Sequence, residues 1–176
     1  MKCQHIEFPN SSLRRLKTCD TPLSRQVGGV FRPELIYPFV GIQEQLSSMY
    51  CRPDFESLLR HWSDRRQFDN ILTDIYDGQV WRSFKDTNEE GSPNFFRPDV
   101  ADSHLGLMLN IDWFQPFDGT THSTGVIYAA ICNLSQDVHF KRENMLILSI
   151  LLGPYEVSLH KINHYLTPIV NNLESL

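Results

Sequence analysis

The sequence predicts an α/β chain in which a helical region precedes three strands and a final helix. Three observations support this fold class. Apolar residues recur at intervals of three and four over positions 39–62, the spacing of one face of a helix. They alternate singly from Leu105 to Ile111, the spacing of a strand with one face on a core. They return to helical spacing beyond Gly153. We expect three regions, at 1–32, 33–100 and 101–176.

The first region, 1–32, is predicted to be an irregular basic segment that ends at the glycine pair of QVGGVFRP, because it has no sustained apolar period. Six basic side chains against two acidic ones give it a formal charge of +4, although the whole chain carries −5. Those six are Lys2, Arg14, Arg15, Lys17, Arg25 and Arg32. Any contact with nucleic acid is therefore expected here and not over the whole surface, with Arg14, Arg15 and Lys17 as the candidate DNA-binding residues.

The second region, 33–100, is predicted to hold two helices and a loop. In YPFVGIQEQLSSMY the apolar face of the first helix consists of Phe39, Ile42, Leu46 and Met49. In RPDFESLLRHWSDRR, Pro53 suits the first position of the second helix. The buried stripe of that helix consists of Phe55, Leu58, Leu59 and Trp62. Asp77 and Gly78 then predict a turn, and the polar run at 85–94 predicts a loop.

The third region, 101–176, is predicted to hold three strands joined by short links, which favour an antiparallel meander. LGLMLNIDWF alternates apolar and other residues, TGVIYAAICNL is β-branched and aromatic, and NMLILSILLG is apolar on both faces, as in a central strand. A helix follows, and Pro168 should kink or divide it. Its apolar side consists of Leu159, Ile162, Leu166, Ile169, Val170 and Leu173.

Asp112 stands at the end of the alternating run, directly before the aromatic stretch WFQPF. Spacing alone leaves two interpretations open. The carboxylate is either a catalytic metal ligand or the polar end of a strand that leaves the core.

Several separated motifs resemble one family. LGLMLNIDWFQPF, GVIYAAICNL, KRENMLILSILLGP and INHYLTPIVNNLESL resemble, in order and spacing, the core of transposases from CACTA-type and Kyakuja-Dileera-Zisupton-type DNA elements. Upstream, CQHIEFPN, YPF, RPDFESLLRHW and DIYDGQVWRSF resemble the region that precedes that core. The resemblance covers nearly the whole chain. It implies that 101–176 is a partial ribonuclease-H-like domain, a three-stranded meander with one packing helix.

The resemblance also implies a catalytic role for Asp112, which matches the first acid of the family's acidic triad. Cleavage and joining of DNA by such a triad uses two magnesium or manganese ions, which one carboxylate cannot hold. The second acid is expected after a fourth strand, and the third further on, so we expect a truncated site. A transposon-derived protein without activity as an isolated chain is the leading hypothesis, whereas intact relatives would be metal-dependent DNA transposases.

Two other functions stay open at this point. The chain could be a non-catalytic module that binds DNA or protein through its basic N-terminus and an exposed sheet edge. It could also be a small metal-dependent hydrolase, which would require nearby acids to approach Asp112. The local acids available for that are Asp99, Asp102 and Asp118.

A second candidate metal site lies near the N-terminus, where Cys3, His5 and Cys19 carry the sulfur and imidazole donors that suit zinc. The resemblance implies a fuller Cys/His cluster here, with a histidine after FPN, where this sequence has Ser11 and Ser12. A structural zinc site takes four protein ligands. The alternative is a remnant with two free thiols.

Composition predicts an intracellular protein, located in the nucleus if it acts as a transposase. The first residues lack the apolar core of a signal peptide, and the longest apolar run, MLILSILLG, falls short of the roughly 20 residues of a membrane span. The four cysteines of the chain have no paired spacing, so no disulfide framework is expected. An unpartnered sheet edge should favour self-association.

Overall fold

A computed structural model describes residues 2–4, 6–7, 17–34, 36–65, 71–116, 118–119, 122–153, 155–158 and 161–176. The chain divides into two compact units, Met1–Pro38 and Phe39–Leu176. Across the described ranges there are four α-helices, two two-stranded antiparallel sheets and one three-stranded sheet. The mixed α/β class predicted from the sequence is therefore confirmed.

The first unit contains two short ribbons, which the sequence did not predict. In one of them, β1 (Ile6–Glu7) pairs with β2 (Lys17–Thr18). In the other, β3 (Ser24–Val27) pairs with β4 (Val30–Pro33). Gly28 and Gly29 form the two-residue loop, with φ of +59° and +82°. Two positive φ angles define a type I′ turn, which joins antiparallel strands with the correct twist. The prediction of an irregular segment was wrong there.

Two helices begin the second unit, as predicted. α1 (Ile42–Tyr50) buries Ile42 and Met49. α2 (Phe55–Asp64) buries Phe55, Leu59 and Trp62. The predicted start of α2 was wrong, because the helix begins two residues after Pro53. Asp54 precedes it in the left-handed conformation, with φ of +67°. Leu58, predicted to be buried, is 39% exposed.

An aromatic cluster connects α2 to the sheet. It consists of Trp62, Tyr76, Trp81, Ala101, Phe96 and Cys132. The Trp81 and Phe96 rings stack with their centroids 3.6 Å apart. Trp81 belongs to α3 (Gln79–Ser83), and Tyr76 to the 3-10 turn Ile75–Asp77. The segment predicted as a single turn at Asp77 is therefore helical on both sides of Gly78.

The second unit contains one sheet, an antiparallel meander in the order β5-β6-β7, as predicted. Its strands are β5 (Leu107–Phe114), β6 (Thr124–Ile131) and β7 (Met145–Leu151). Trp113 lies opposite Gly125 in the register. A Cβ atom at Gly125 would come within 2.9 Å of the Trp113 ring, so a larger residue there would displace that ring. A bulge at Leu148 interrupts the pairing of β6 with β7.

The two faces of this sheet differ in burial. On β6 and β7 the core face is buried, with Ile127, Ala129, Ile131, Leu146, Ser149 and Leu151. On β5 the predicted burial of one face was wrong, because Leu109 is 40% exposed and Ile111 37% on that same face. The opposite side, called the open face below, consists of Met108, Asn110, Asp112, Phe114, Thr124, Val126, Tyr128, Ala130, Met145, Ile147 and Ile150. Ile147 is 49% exposed and Ile150 41% exposed. The prediction that this strand is central and covered on both sides was wrong, because β7 lies at the edge of the sheet.

The two edges of the sheet also differ. At the outer edge of β7, Val40 N donates to Leu148 O at 3.0 Å. The Gln45 side chain donates to Ile147 O and accepts from Ile147 N, both at 3.0 Å, as a neighbouring strand would. The outer edge of β5 pairs with no strand in the described ranges.

The last helix, α4 (Asn163–Leu173), runs through Pro168 without being divided. One residue before Pro168, which has no amide hydrogen to donate, Thr167 Oγ1 donates to Asn163 O at 2.6 Å. Ile169 is buried, whereas Val170, predicted on the same apolar side, is 43% exposed. Asn172 Oδ1 accepts from Ile42 N at 3.1 Å, which connects α4 to α1. Neither α4 nor another helix in the described ranges is long and apolar enough to cross a bilayer.

Candidate metal-ligand position and basic segment

Asp112 lies in the sixth position of β5, on the open face. It pairs with Val126 of β6, which pairs in turn with Ile150 of β7, so the carboxylate begins a row of apolar side chains. The residue is exposed, and no described residue donates a hydrogen bond to its carboxylate. Asp112 can therefore accept a cation or a donor from outside this row without losing a bond.

Two of the three other local acids, Asp99 and Asp102, are engaged elsewhere. Arg60 Nη2 lies 2.6 Å from Asp102 Oδ2, and Arg97 Nε lies 3.4 Å from Asp99 Oδ1. Within the described ranges, no three His, Cys, Asp or Glu side chains gather in a group that could hold a metal ion. Magnesium keeps its waters tightly and commonly takes one or two carboxylates plus phosphate oxygens. Asp112 therefore has no partner acids for a metal site among the described residues.

The N-terminal cysteines lie on one ribbon. Cys3 N donates to Thr21 O at 2.9 Å, and Asp20 N donates to Cys3 O at 3.1 Å, so Cys3 faces the residues that follow Cys19. The Cys19 sulfur lies 3.0 Å from Thr21 Oγ1. Cys3 and Cys19 thus lie just outside β1 and β2, on chain segments that these backbone bonds join, while His5 lies outside the described residues.

Of the three predicted DNA-binding residues, Arg14 and Arg15 lie outside the described residues. Lys17 is on β2, where its side chain is exposed and its register partner is Glu7. A basic side chain in this position is accessible to a polyanion.

A further basic pair, which the sequence reasoning missed, lies on the β3–β4 hairpin. Arg25 and Arg32 are direct register partners, and both are exposed. The signal was in the sequence, because each arginine stands three residues from the Gly28-Gly29 pair. In a hairpin with a two-residue loop, residues at equal distances from the loop lie opposite each other.

The sequence reasoning also missed a buried ion pair at Asp77, whose side chain is 2% exposed. Arg65 Nη2 donates to both of its oxygens, at 2.9 and 2.7 Å. Thr73 N and Asp74 N donate at 2.8 and 3.0 Å. These bonds, first those from the Thr73 amide and from Arg65, hold the pKa of Asp77 far below its ordinary value of 3.8. The spacing of Asp74 and Asp77, that of a capping box, was the available signal.

Asp77 fixes the turn that carries Tyr76 into the aromatic cluster. The Tyr76 hydroxyl donates to Leu134 O at 2.6 Å, and burial raises the pKa of Tyr76 above its ordinary value. Asn133 completes this junction, since its side chain donates to Ala101 O and His104 O and accepts from Gly106 N. The Asp77 network is therefore a structural support at the start of β5, because its acceptor sites are filled by the protein.

The chain matches no protein-family model, and neither a curated protein nor a solved structure matches it significantly.

Proposed function

We propose that this chain is a transposon-derived protein that corresponds to the N-terminal region and the start of the ribonuclease-H-like core of a CACTA-type or Kyakuja-Dileera-Zisupton-type transposase. The observation that carries the proposal is the arrangement of β5, β6 and β7 as an antiparallel meander followed by α4, with an exposed acid, Asp112, on the first strand. This order agrees with the one that the resemblance implies.

The chemistry assigned to such a core is metal-dependent cleavage and joining of DNA. Two metal ions about 3.5–4 Å apart would activate the attacking oxygen and stabilise the leaving oxygen. Asp112 would supply one carboxylate to this pair. The other two acids of the triad would have to come from parts of a transposase core that these residues do not resemble, or from a second chain. Alone, the 176 residues are therefore expected to bind magnesium or manganese weakly and not to cleave DNA.

The outer edge of β5 also supports this proposal. Its backbone pairs with no strand in the described ranges, and Asp112 lies on this same strand. A further strand added at this edge would put its own side chains beside Asn110 and Asp112, since directly opposed residues on paired strands lie about 4.5–5.5 Å apart. A carboxylate on that strand could then share a metal ion with Asp112.

A hybrid protein tests the proposal. The remaining core of an intact CACTA-type transposase, starting at its fourth strand, is joined to Leu176, and cleavage of a labelled duplex with that element's ends is measured. We expect cleavage that depends on magnesium or manganese and falls at least about a hundredfold in Asp112→Asn, because a lost ligand removes several kcal/mol of charge stabilisation. Asp118→Asn, at an exposed acid outside the sheet, is the matched control.

Two results would contradict the proposal. One is a folded hybrid that cleaves nothing while the intact relative does, and the other is cleavage that survives Asp112→Asn. The 176-residue chain is tested alongside it. If the chain alone cleaves DNA and loses this activity in Asp112→Asn, the expectation of an incomplete ligand set is wrong.

A non-catalytic DNA-binding module is the second candidate function, favoured by the exposed basic side chains of the first unit. It predicts salt-sensitive binding of DNA that is unchanged in Asp112→Asn, with no cleavage by the hybrid.

A further inference from the structure

We propose that the β3–β4 hairpin is a contact for duplex DNA, in which Arg25 and Arg32 bind backbone phosphates on either side of one groove. The choice of DNA as the ligand rests on the proposed function, whereas the choice of the hairpin rests on its own geometry and charge. Neither arginine was among the residues that the sequence analysis selected for DNA binding.

The geometry of the hairpin puts both guanidinium groups on one face. Arg25 pairs with Arg32, and Val27 pairs with Val30 next to the turn, so these four side chains share a face. The backbone continues as a ladder beyond the strands, because Glu34 N donates to Leu23 O at 2.9 Å. The result is a narrow ribbon with a basic pair about two residues from a small apolar tip.

Folding alone gives no reason for this arrangement. Like charges directly opposite each other on a two-stranded ribbon destabilise it, and an isolated hairpin is only marginally stable in water. This hairpin gains little from burial, since every residue of β3 and β4 except Ser24 is exposed. At the tip, Val30 is 61% exposed and Phe31 69%. An anion bound between the arginines would replace their repulsion by attraction.

Charge complementarity points to a polyanion as the occupant. The one acid of the ribbon, Glu34, lies at its open end, 3.8 Å from Arg25, with both side chains largely exposed. A surface pair at that distance is weak and competes poorly with phosphate. Arg32 has no carboxylate partner among the described residues. The surrounding segment adds Lys2 and Lys17 against one acid, Asp20, and all three are exposed.

The shape of the hairpin suits duplex DNA. The major groove, about 12 Å wide, admits a two-stranded β-ribbon. A guanidinium group donates in a planar fork that matches phosphate oxygens in pairs. With the arginines on phosphates, Val27 and Val30 would face the floor of the groove, where thymine methyl groups offer apolar contacts. Affinity would come mainly from the backbone contacts, with little dependence on sequence.

The test is fluorescence anisotropy of the full 176-residue chain with a labelled duplex over a series of salt concentrations. In the double variant Arg25→Gln/Arg32→Gln, we expect the slope of log Kd against log salt to fall by about 2, and binding at about 0.1 M salt to weaken at least tenfold. Arg142→Gln/Lys161→Gln removes the same charge at exposed positions of the second unit and should leave both quantities unchanged. Arg25→Lys/Arg32→Lys should keep most of the slope.

The glutamine variant removes a like-charge pair, so its hairpin should be no less stable than that of the parent, which amide proton chemical shifts of Val27 and Val30 will check. The proposal is overturned if the parent shows no salt-dependent binding, if the slope is unchanged in the glutamine variant, or if only Lys17→Gln reduces it. Tighter binding to a labelled single-stranded RNA than to the duplex overturns the choice of ligand.

Failure of this proposal and failure of the proposed function are distinguishable. Binding through the hairpin should be equal in the parent and in Asp112→Asn, since Asp112 belongs to the other unit. If the hybrid cleaves DNA but the hairpin variants bind it as the parent does, the hairpin proposal is wrong and the proposed function stands. If binding depends on the hairpin but the hybrid cleaves nothing, the proposed transposase core is wrong and the hairpin proposal stands.

Discussion

Asp77 and Asp112 show how differently this chain treats two carboxylates. Arg65, Thr73 and the Asp74 amide satisfy Asp77, whose side chain is 2% exposed. Asp112 is exposed and has no donor among the described residues. A buried charge must be paired to be tolerated, whereas an exposed one keeps its water. Asp112 is therefore the acid that an added metal ion can reach, and Asp77 is unavailable to one.

Asp77 should make stability depend on pH. Because the pKa of this carboxyl is lower in the folded chain than its ordinary value of 3.8, the unfolded chain binds its proton first as pH falls. The contribution of Asp77 is therefore complete well above pH 4 and declines as pH falls below about 4, toward the folded pKa. Denaturant unfolding of the parent and of Asp77→Asn from pH 7 to pH 2.5 measures this.

We expect Asp77→Asn to unfold at lower denaturant at pH 7, because Arg65 loses its ion pair. The difference between the two proteins should narrow in acid. Asp99→Asn is the control, because the Asp99 side chain is 68% exposed and its ion pair with Arg97, at 3.4 Å, is a weak surface pair. A constant difference between parent and Asp77→Asn across this pH range would contradict the assigned cause.

At this scale, the sequence allowed one of the two acids to be placed. Alternation of residue types from Leu105 to Ile111 predicted the strand that carries Asp112, because a period of two is visible in the local sequence, although burial along β5 does not alternate. Asp77 was predicted only as part of a turn. Its main partner, Arg65, is 12 residues away and comes near only after α2 and the aromatic cluster have packed. The ligands that would complete a site at Asp112 involve contacts of the same non-local kind.

At the scale of elements, Gln45 has a specific role at the edge of β7. Its amide occupies both hydrogen-bonding groups of Ile147 and so blocks the place where another strand would add. Gln45→Ala should lower the free energy of unfolding by about 1 kcal/mol, because water replaces the lost bonds only in part. It should also make the chain associate more readily. Chemical denaturation and sedimentation velocity measure the two effects.

Gln43→Ala is the matched control, since Gln43 is an exposed glutamine of the same helix with no partner among the described residues. It should change neither quantity by more than a few tenths of a kcal/mol. Equal effects of Gln43→Ala and Gln45→Ala would mean that helix propensity, and not the edge of β7, is the cause.

Elements with a clear residue pattern were predictable, and those without one were missed. α1 shows a helical period because one side of it packs on the core, and β5 shows alternation although its apolar Leu109 and Ile111 are 40% and 37% exposed. β3 and β4 bury almost nothing, so their sequence shows no alternation, and only the Gly28-Gly29 pair signals the hairpin. β7 was assigned to the centre because Ile147 and Ile150 are apolar, although both are partly exposed.

At the scale of the second unit, burial is one-sided. The core face of the sheet is buried on β6 and β7, whereas the open face retains Phe114 at 47%, Ile147 at 49% and Ile150 at 41% exposure. β5, the strand that carries Phe114, also has an outer edge that pairs with no described strand. Exposed apolar surface next to an unpaired edge is the combination that attracts another polypeptide. Under the proposed function, further parts of a transposase core would cover it.

Without such a covering, the 176-residue chain should self-associate through the open face at micromolar concentrations. The variant Ile147→Lys/Ile150→Glu puts opposite charges on that face, where desolvating them would be costly, and should therefore give monomers in sedimentation velocity. Val80→Lys tests whether any added charge suffices, because Val80 is 75% exposed on α3, away from the sheet. Its association should match that of the parent. A parent chain that is monomeric at every concentration, or a Val80→Lys variant that dissociates equally well, would show that the open face does not mediate association.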